Sequence, residues 1–98
     1  MKYPEHWHSH LRLTLLRLLV EQPGYRANSS ILTDAADRAA GFAATRDQVK
    51  TELTWLAEQG LVMNNSQIEG LIVSTLTERG NDVAKGLASV PGVQKPGP

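Results

Sequence analysis

The chain is 98 residues long, 41% hydrophobic and 20% charged, a size and composition that suit one small globular domain and argue against a second. Ten basic side chains balance ten acidic ones, so no global field draws in phosphate, a membrane surface or a strongly charged substrate, and any such attraction must be local. No cysteine is present, which excludes disulfides and thiolate metal sites, while the lack of a long apolar run or a signal-peptide core leads us to expect a cytoplasmic protein with no membrane partner.

The first predicted helix runs from about His8 to Gln22 and is closed by Pro23-Gly24. Its apolar residues, Leu11, Leu13, Leu15, Leu16, Leu18, Leu19 and Val20, spread over an arc of about 220°, roughly twice what a surface helix needs. Two readings are open: a central helix buried within its own domain, or a helix that shares the arc with a second subunit. Small domains gain from self-association, so the expectation is a homodimer with Leu13, Leu16 and Val20 at the interface. His6, His8 and His10 alternate near the start of this helix, and His6 with His10 stands at i, i+4, the beginning of a metal site. Without cysteine or a further ligand pattern these histidines read as ordinary polar residues, and no metal or cofactor is expected.

Gly24 to Ser30 is polar and reads as a loop in which Asn28 or Ser29 caps a second helix. That helix carries a stripe of Ile31, Leu32, Ala35, Ala36, Ala39 and Ala40, with Asp34 and Asp37 on its solvated side. Gly41-Phe-Ala-Ala44 makes a short turn with Phe42 as a core plug. Thr45 and Gln48 then form a capping box, in which each side chain satisfies an orphan N–H of a third helix, and Gly60 ends that helix. Val49, Leu53, Leu56 and Ala57 face a core, leaving Asp47, Lys50, Thr51, Thr54 and Glu58 outward.

Leu61 to Asn64 and Leu71 to Leu76 are β-prone runs joined by Asn65 to Gly70, the pattern of a hairpin. Thr77 caps a final short helix from Glu78 to about Leu87, with Val83, Ala84 and Leu87 turned inward. Residues 91–98, rich in proline and glycine, read as a flexible tail on a single domain of residues 1–90.

The order of these elements, with Leu53-x-x-Leu56-x-x-x-Gly60-Leu-Val62 and Leu76-Thr-Glu-Arg-Gly80, resembles the bacterial winged-helix regulators. Pro23 to Ser30, Thr45 to Val49, Trp55 to Leu61 and the Pro-Gly-Val tail are similar to small Mu-like prophage proteins loosely labelled as ArsR-like regulators. The resemblance implies a mainly α fold with a small β-hairpin, a winged helix-turn-helix, and a role in phage or prophage transcription. It also implies that the third helix enters the DNA major groove and that the hairpin touches the neighbouring backbone. Carried onto this chain, the DNA-binding candidates are Thr45, Arg46, Gln48, Lys50, Thr51 and Thr54. Arg46 can fork to guanine and Gln48 can pair with adenine, although the cap competes for Gln48, while Lys50 and the threonine hydroxyls can hold phosphate. Ser29 and Ser30 can offer backbone N–H groups to phosphate.

Other features point away from DNA. Asp47 and Glu58 share the outward face, residues 61–77 contain no Lys or Arg, and Glu69 stands near the hairpin tip. Phosphate neutralisation carries much of DNA affinity, so Arg46 and Lys50 are open to a second reading as ordinary solvated residues, with Asp47 paired to Lys50. Trp55 is either the edge of the core or an anchor for a partner at an interface. The alternative function is therefore a protein interaction module in phage assembly or host takeover, contacting a phage or host protein without DNA. No Gly-x-Ser-x-Gly elbow, phosphate-binding glycine loop or paired-acid signature is present, and an enzyme is not expected.

Overall fold

The computed structural model of the protein describes residues 3–66 and 68–97, so Met1, Lys2, Gln67 and Pro98 lie outside the described residues. Helix α1 spans Glu5–Val20, with Pro4 at its N-cap, Glu5 in its first turn and Arg17 in its last, charges placed to suit the helix dipole. Residues 11–16 of α1 are all buried, as are Leu18 and Leu19. α1 packs against helix α2 (Ser29–Ala40), helix α3 (Arg46–Glu58), helix α4 (Glu78–Ala84) and the sheet. The wide leucine arc is thus consumed inside one chain, and the expectation that Leu13 and Leu16 serve a second subunit is corrected: they are 3% and 0% exposed without any partner.

Between α1 and α2 the expected loop folds further than its polarity suggested. Pro23–Tyr25 makes one turn of 3-10 helix, with Gly24 at φ 68° and Tyr25 at φ 57°. Arg26–Asn28 then forms strand β1. With β2 (Val62–Asn65) and β3 (Val73–Leu76) it builds an antiparallel sheet in the order β1-β3-β2. Ala27 sits opposite Ser74, and Val62 opposite Leu76. The sheet therefore has three strands where the sequence suggested a hairpin alone. A three-residue strand of Arg-Ala-Asn has no local signature; the groups on β3 that receive it stand more than forty residues away.

Asn28 is the N-cap of α2, its side chain accepting from the N–H of Ile31 at 2.8 Å. Gly41, at φ 69°, ends the helix with its N–H on the carbonyls of Ala36 and Asp37, and the turn to α3 follows. Half-buried Phe42 fills that turn beneath Trp7 and His10 of α1.

At the start of α4 the Thr77 hydroxyl accepts from the N–H of Gly80 at 3.0 Å and donates to the Gly60 carbonyl at 2.8 Å, joining the end of α3's exit turn to the head of α4. Gly80 is where α4 crosses the backbone of Leu61. The helix stops at Ala84, and Leu87, expected inside, is 75% exposed after a turn at Gly86.

The segment beyond is a second correction. The described tail residues are docked: Val90 and Val93 are buried, the N–H of Gln94 donates to the Ser9 carbonyl at 3.1 Å, and Pro96 lies against Gly86. Two valines spaced three apart on a turn supply enough apolar surface to seat a proline- and glycine-rich chain on the body of the domain.

Candidate nucleic-acid interface

α3 begins with the expected reciprocal cap. The Thr45 Oγ1 accepts from the Gln48 N–H at 3.1 Å, and the Gln48 Oε1 accepts from the Thr45 N–H at 2.8 Å. Val49, Glu52, Leu53 and Leu56 form the buried side of the helix. At about 100° per residue, Asp47, Thr51, Thr54 and Glu58 cluster on the opposite side, Arg46 and Lys50 on one flank, and Trp55 on the other. Thr45, Arg46, Thr51 and Thr54 are exposed, and Gln48 and Lys50 are half-buried. The polar side of α3 is thus open to a macromolecule and is covered by no described part of the chain.

The chemistry on that side is more constrained than residue types alone suggest. The Thr51 hydroxyl donates to the Asp47 carbonyl and the Thr54 hydroxyl to the Lys50 carbonyl, both at 2.9 Å, so each oxygen faces outward chiefly as an acceptor. Gln48 has its carbonyl engaged in the cap and its amide N–H₂ left to donate. Arg46 and Lys50 form no salt bridge among the described residues, so the local Asp47–Lys50 ion pair does not form. Arg26 on β1 and Arg38 in the last turn of α2 are also exposed, while the Arg79 guanidinium donates to the Gln59 carbonyl at 2.9 Å, closing the end of α3.

The β2–β3 hairpin is fixed to α3 through Asn64, whose amide donates to the Leu53 carbonyl at 3.0 Å while its oxygen accepts from the Ser74 hydroxyl at 2.6 Å. The hairpin is thus bonded directly to α3. Its outer surface is apolar and acidic: Met63 is 70% and Ile68 61% exposed, Glu69 is exposed, and residues 61–77 hold no Lys or Arg.

Other sequence candidates fall elsewhere. Ser29 is wholly buried; its N–H donates to the Ile72 carbonyl at 2.8 Å and its hydroxyl accepts from the Ile72 N–H at 3.1 Å. It stitches α2 to the approach of β3 and, being wholly buried, is out of reach of phosphate. Ser30 is half-buried in the first turn of α2. Val20 is half-buried and packs on the core, so the interface predicted on α1 reduces to its exposed edge beside Arg17 and Glu21. Trp55 is half-buried under Arg12, whose guanidinium lies 3.9 Å from the ring centroid. It is therefore the edge of the core, already engaged within the chain. The rings of His6 and His10 meet edge-on at 5.8 Å, and among the described residues no group of three or more His, Cys, Asp or Glu gathers for a metal ion. No helix of the described residues is long and apolar enough to cross a membrane.

Sequence reasoning missed a buried polar network behind α3. Glu52, 2% exposed, accepts from the Arg12 Nε at 2.7 Å and faces the His8 Nδ1 at 2.6 Å. Arg12 also reaches Glu5 at 3.3 Å and the Gly92 carbonyl at 3.0 Å. Two signals were present in the chain: Glu52 interrupts the core stripe between Val49 and Leu53, and Arg12 stands between two leucines at the heart of α1.

No family model matches the chain. It is similar to the uncharacterized protein gp26 of Escherichia phage Mu, 47% identical over 87 residues that cover 89% of this chain and 88% of that protein. An uncharacterized protein of Haemophilus influenzae is 44% identical over 68 residues, 69% of this chain and 65% of that one. Among solved structures, a chain of H. salinarum RosR superposes with a TM-score of 0.66 over 84% of this chain and 80% of its own, at 16% identity. That likeness shows the winged-helix fold.

Proposed function

The chain belongs to the same family as gp26 of phage Mu, and on that premise we propose that it is a dimeric winged-helix DNA-binding protein, a phage or prophage transcriptional regulator. The observation that carries this reading is the open polar side of α3, capped at Thr45 and backed by a rigid core, in a fold shared with the winged-helix regulator RosR. In this role Arg46 forks to a base edge, the free amide N–H₂ of Gln48 donates to a purine acceptor, and Lys50 neutralises phosphate. Thr51 and Thr54 present acceptor oxygens to base amino groups, while the Thr45 hydroxyl, its oxygen engaged in the cap, is left to donate. Ser30 at the head of α2 faces the flanking backbone, and Arg26 and Arg38 supply further charge. The site of action is the cytoplasm, where DNA is reached without a membrane step.

With so few cations per chain, useful affinity needs two copies on successive half-sites. The surface for the second copy is the exposed edge of α1, where Arg17 and Glu21 stand one turn apart beside half-buried Val20. Neither charge has an ion-pair partner among the described residues. Two such edges packed antiparallel about a two-fold axis set each Arg17 against the other copy's Glu21, as an isologous interface requires.

Binding to mixed-sequence DNA at low and moderate salt tests the reading. Wild type should bind in a salt-sensitive manner, and Arg46→Ala/Lys50→Ala should lose that binding. No binding even at low salt would overturn it and favour the second reading, an interaction module for a phage or host protein. The cation-free hairpin with exposed Met63 and Ile68 is the observation on that side.

A further inference from the structure

We propose that the C-terminal segment around Gly92, acting through Arg12, braces the reading helix α3 and sets its rotation, which makes Arg12 and Gly92 positioning residues for DNA recognition. The inference rests on α3 being the helix that reads DNA. Its physical content is testable without DNA.

Two residues of α3 are held from behind. Glu52 receives the Arg12 Nε at 2.7 Å on one oxygen and faces the His8 Nδ1 at 2.6 Å on the other. Trp55, nearly one turn further on, lies under the Arg12 guanidinium at 3.9 Å. The same guanidinium donates to the Gly92 carbonyl at 3.0 Å. One side chain from α1 therefore ties together two positions of α3 and the strap that crosses them.

The strap fits this crossing only as glycine. Gly92 has φ +97°, and a β carbon there would lie 2.7 Å and 2.9 Å from atoms of the Trp55 ring and 3.2 Å from the Arg12 guanidinium. On either side Val90 and Val93 are buried, and the Gln94 N–H is bonded to Ser9. The backbone is thus pressed against the indole by anchors on both sides of it.

Leucines such as Leu53 and Leu56 hold α3 to the core but tolerate small rotations, because apolar contact is non-directional. A buried charge pair does not, since a misaligned partner leaves an uncompensated charge. For a helix of about 5–6 Å radius, a turn of about 20° carries an outward side chain about 2 Å. That exceeds the tolerance of a base-edge hydrogen bond. The brace therefore specifies direction where the core specifies only attachment.

The test compares wild type, Gly92→Ala and Arg12→Lys, the last keeping the charge but losing the planar fork and its stacking. Amide hydrogen exchange is followed residue by residue, with circular dichroism as the measure of folding. The brace predicts that exchange in α3 accelerates about tenfold or more while β2 and β3 keep their protection. Unchanged α3 protection, or equal acceleration of every element, would overturn it. Should Gly92→Ala lose its fold, Arg12→Lys decides on the same readout. DNA binding by wild type is scored separately: its absence sinks the regulator reading and leaves the exchange result to stand for the brace.

Discussion

Gly80 and Leu61 touch backbone to backbone: a β carbon on Gly80 would overlap the Leu61 carbonyl oxygen and lie 2.8 Å from a methyl carbon of Leu76. The glycine of Leu76-Thr-Glu-Arg-Gly80 is therefore demanded by the passage of α4 over the start of the hairpin. Gly80→Ala must push α4 off Leu61, against a helix that gains from alanine by only about 1 kcal/mol. The expected net loss is about 2 kcal/mol or more, which a small domain shows as a drop of about 10 °C in melting temperature. A thermal melt by circular dichroism checks it, and an unchanged melting temperature would contradict the crossing.

Removing the carboxylate of Glu52 leaves Arg12 buried beside an empty space. Glu52→Ala should cost about 3–5 kcal/mol, far more than an alanine at exposed Glu58. Urea unfolding of the two variants measures the difference. Similar midpoints would mean that the Arg12–Glu52 pair does not hold the helix.

The two sides of α1 give opposite outcomes when charged. Leu13→Glu places a carboxylate in the core and should abolish folding, because Leu13 is 3% exposed within a single chain. Arg17→Glu leaves the fold intact and, on the dimer proposal, separates the copies by setting like charges together. The double exchange Arg17→Glu/Glu21→Arg restores the opposite pairing and the dimer. Sedimentation reads all three, and a dimer untouched by Arg17→Glu would move the interface elsewhere.

If the hairpin flanks DNA, its acidic tip works against binding. Glu69→Lys should then tighten association and steepen the dependence of log affinity on log salt by about 0.9 for one added phosphate contact. Titration at several salt concentrations checks this. An unaltered slope would place the hairpin away from the nucleic acid.

Much of this architecture is legible in local patterns. The Thr45–Gln48 box, the spacing of Val49, Leu53 and Leu56, and the β-prone runs around the hairpin each depend on neighbours a few residues apart. What was hidden depends on distance. β1 exists because β3 offers it partners, and Arg12 finds Glu52 forty positions away. The arc of α1 is used whole within one chain, by α2, α3, the sheet and α4, and in sequence such a helix looks the same as one that shares its arc with a second copy; only the docked segment after α4 was disguised by its proline and glycine. At the interface, the threonines of α3 were visible as types, but the hydroxyls bonded back to Asp47 and Lys50 were not. Ser29 was misplaced because a serine before a helix looks the same whether it faces solvent or stitches a strand.

The bond from Gln94 to Ser9 ties the docked segment to the first helix across more than eighty residues. Val90 and Val93, buried on either side of Gly92, are therefore seated by contacts between residues far apart in the sequence. Closing a loop of that length costs chain entropy before any contact repays it, so the segment is expected to join late, onto a core that α2, α3 and the sheet have already built around α1.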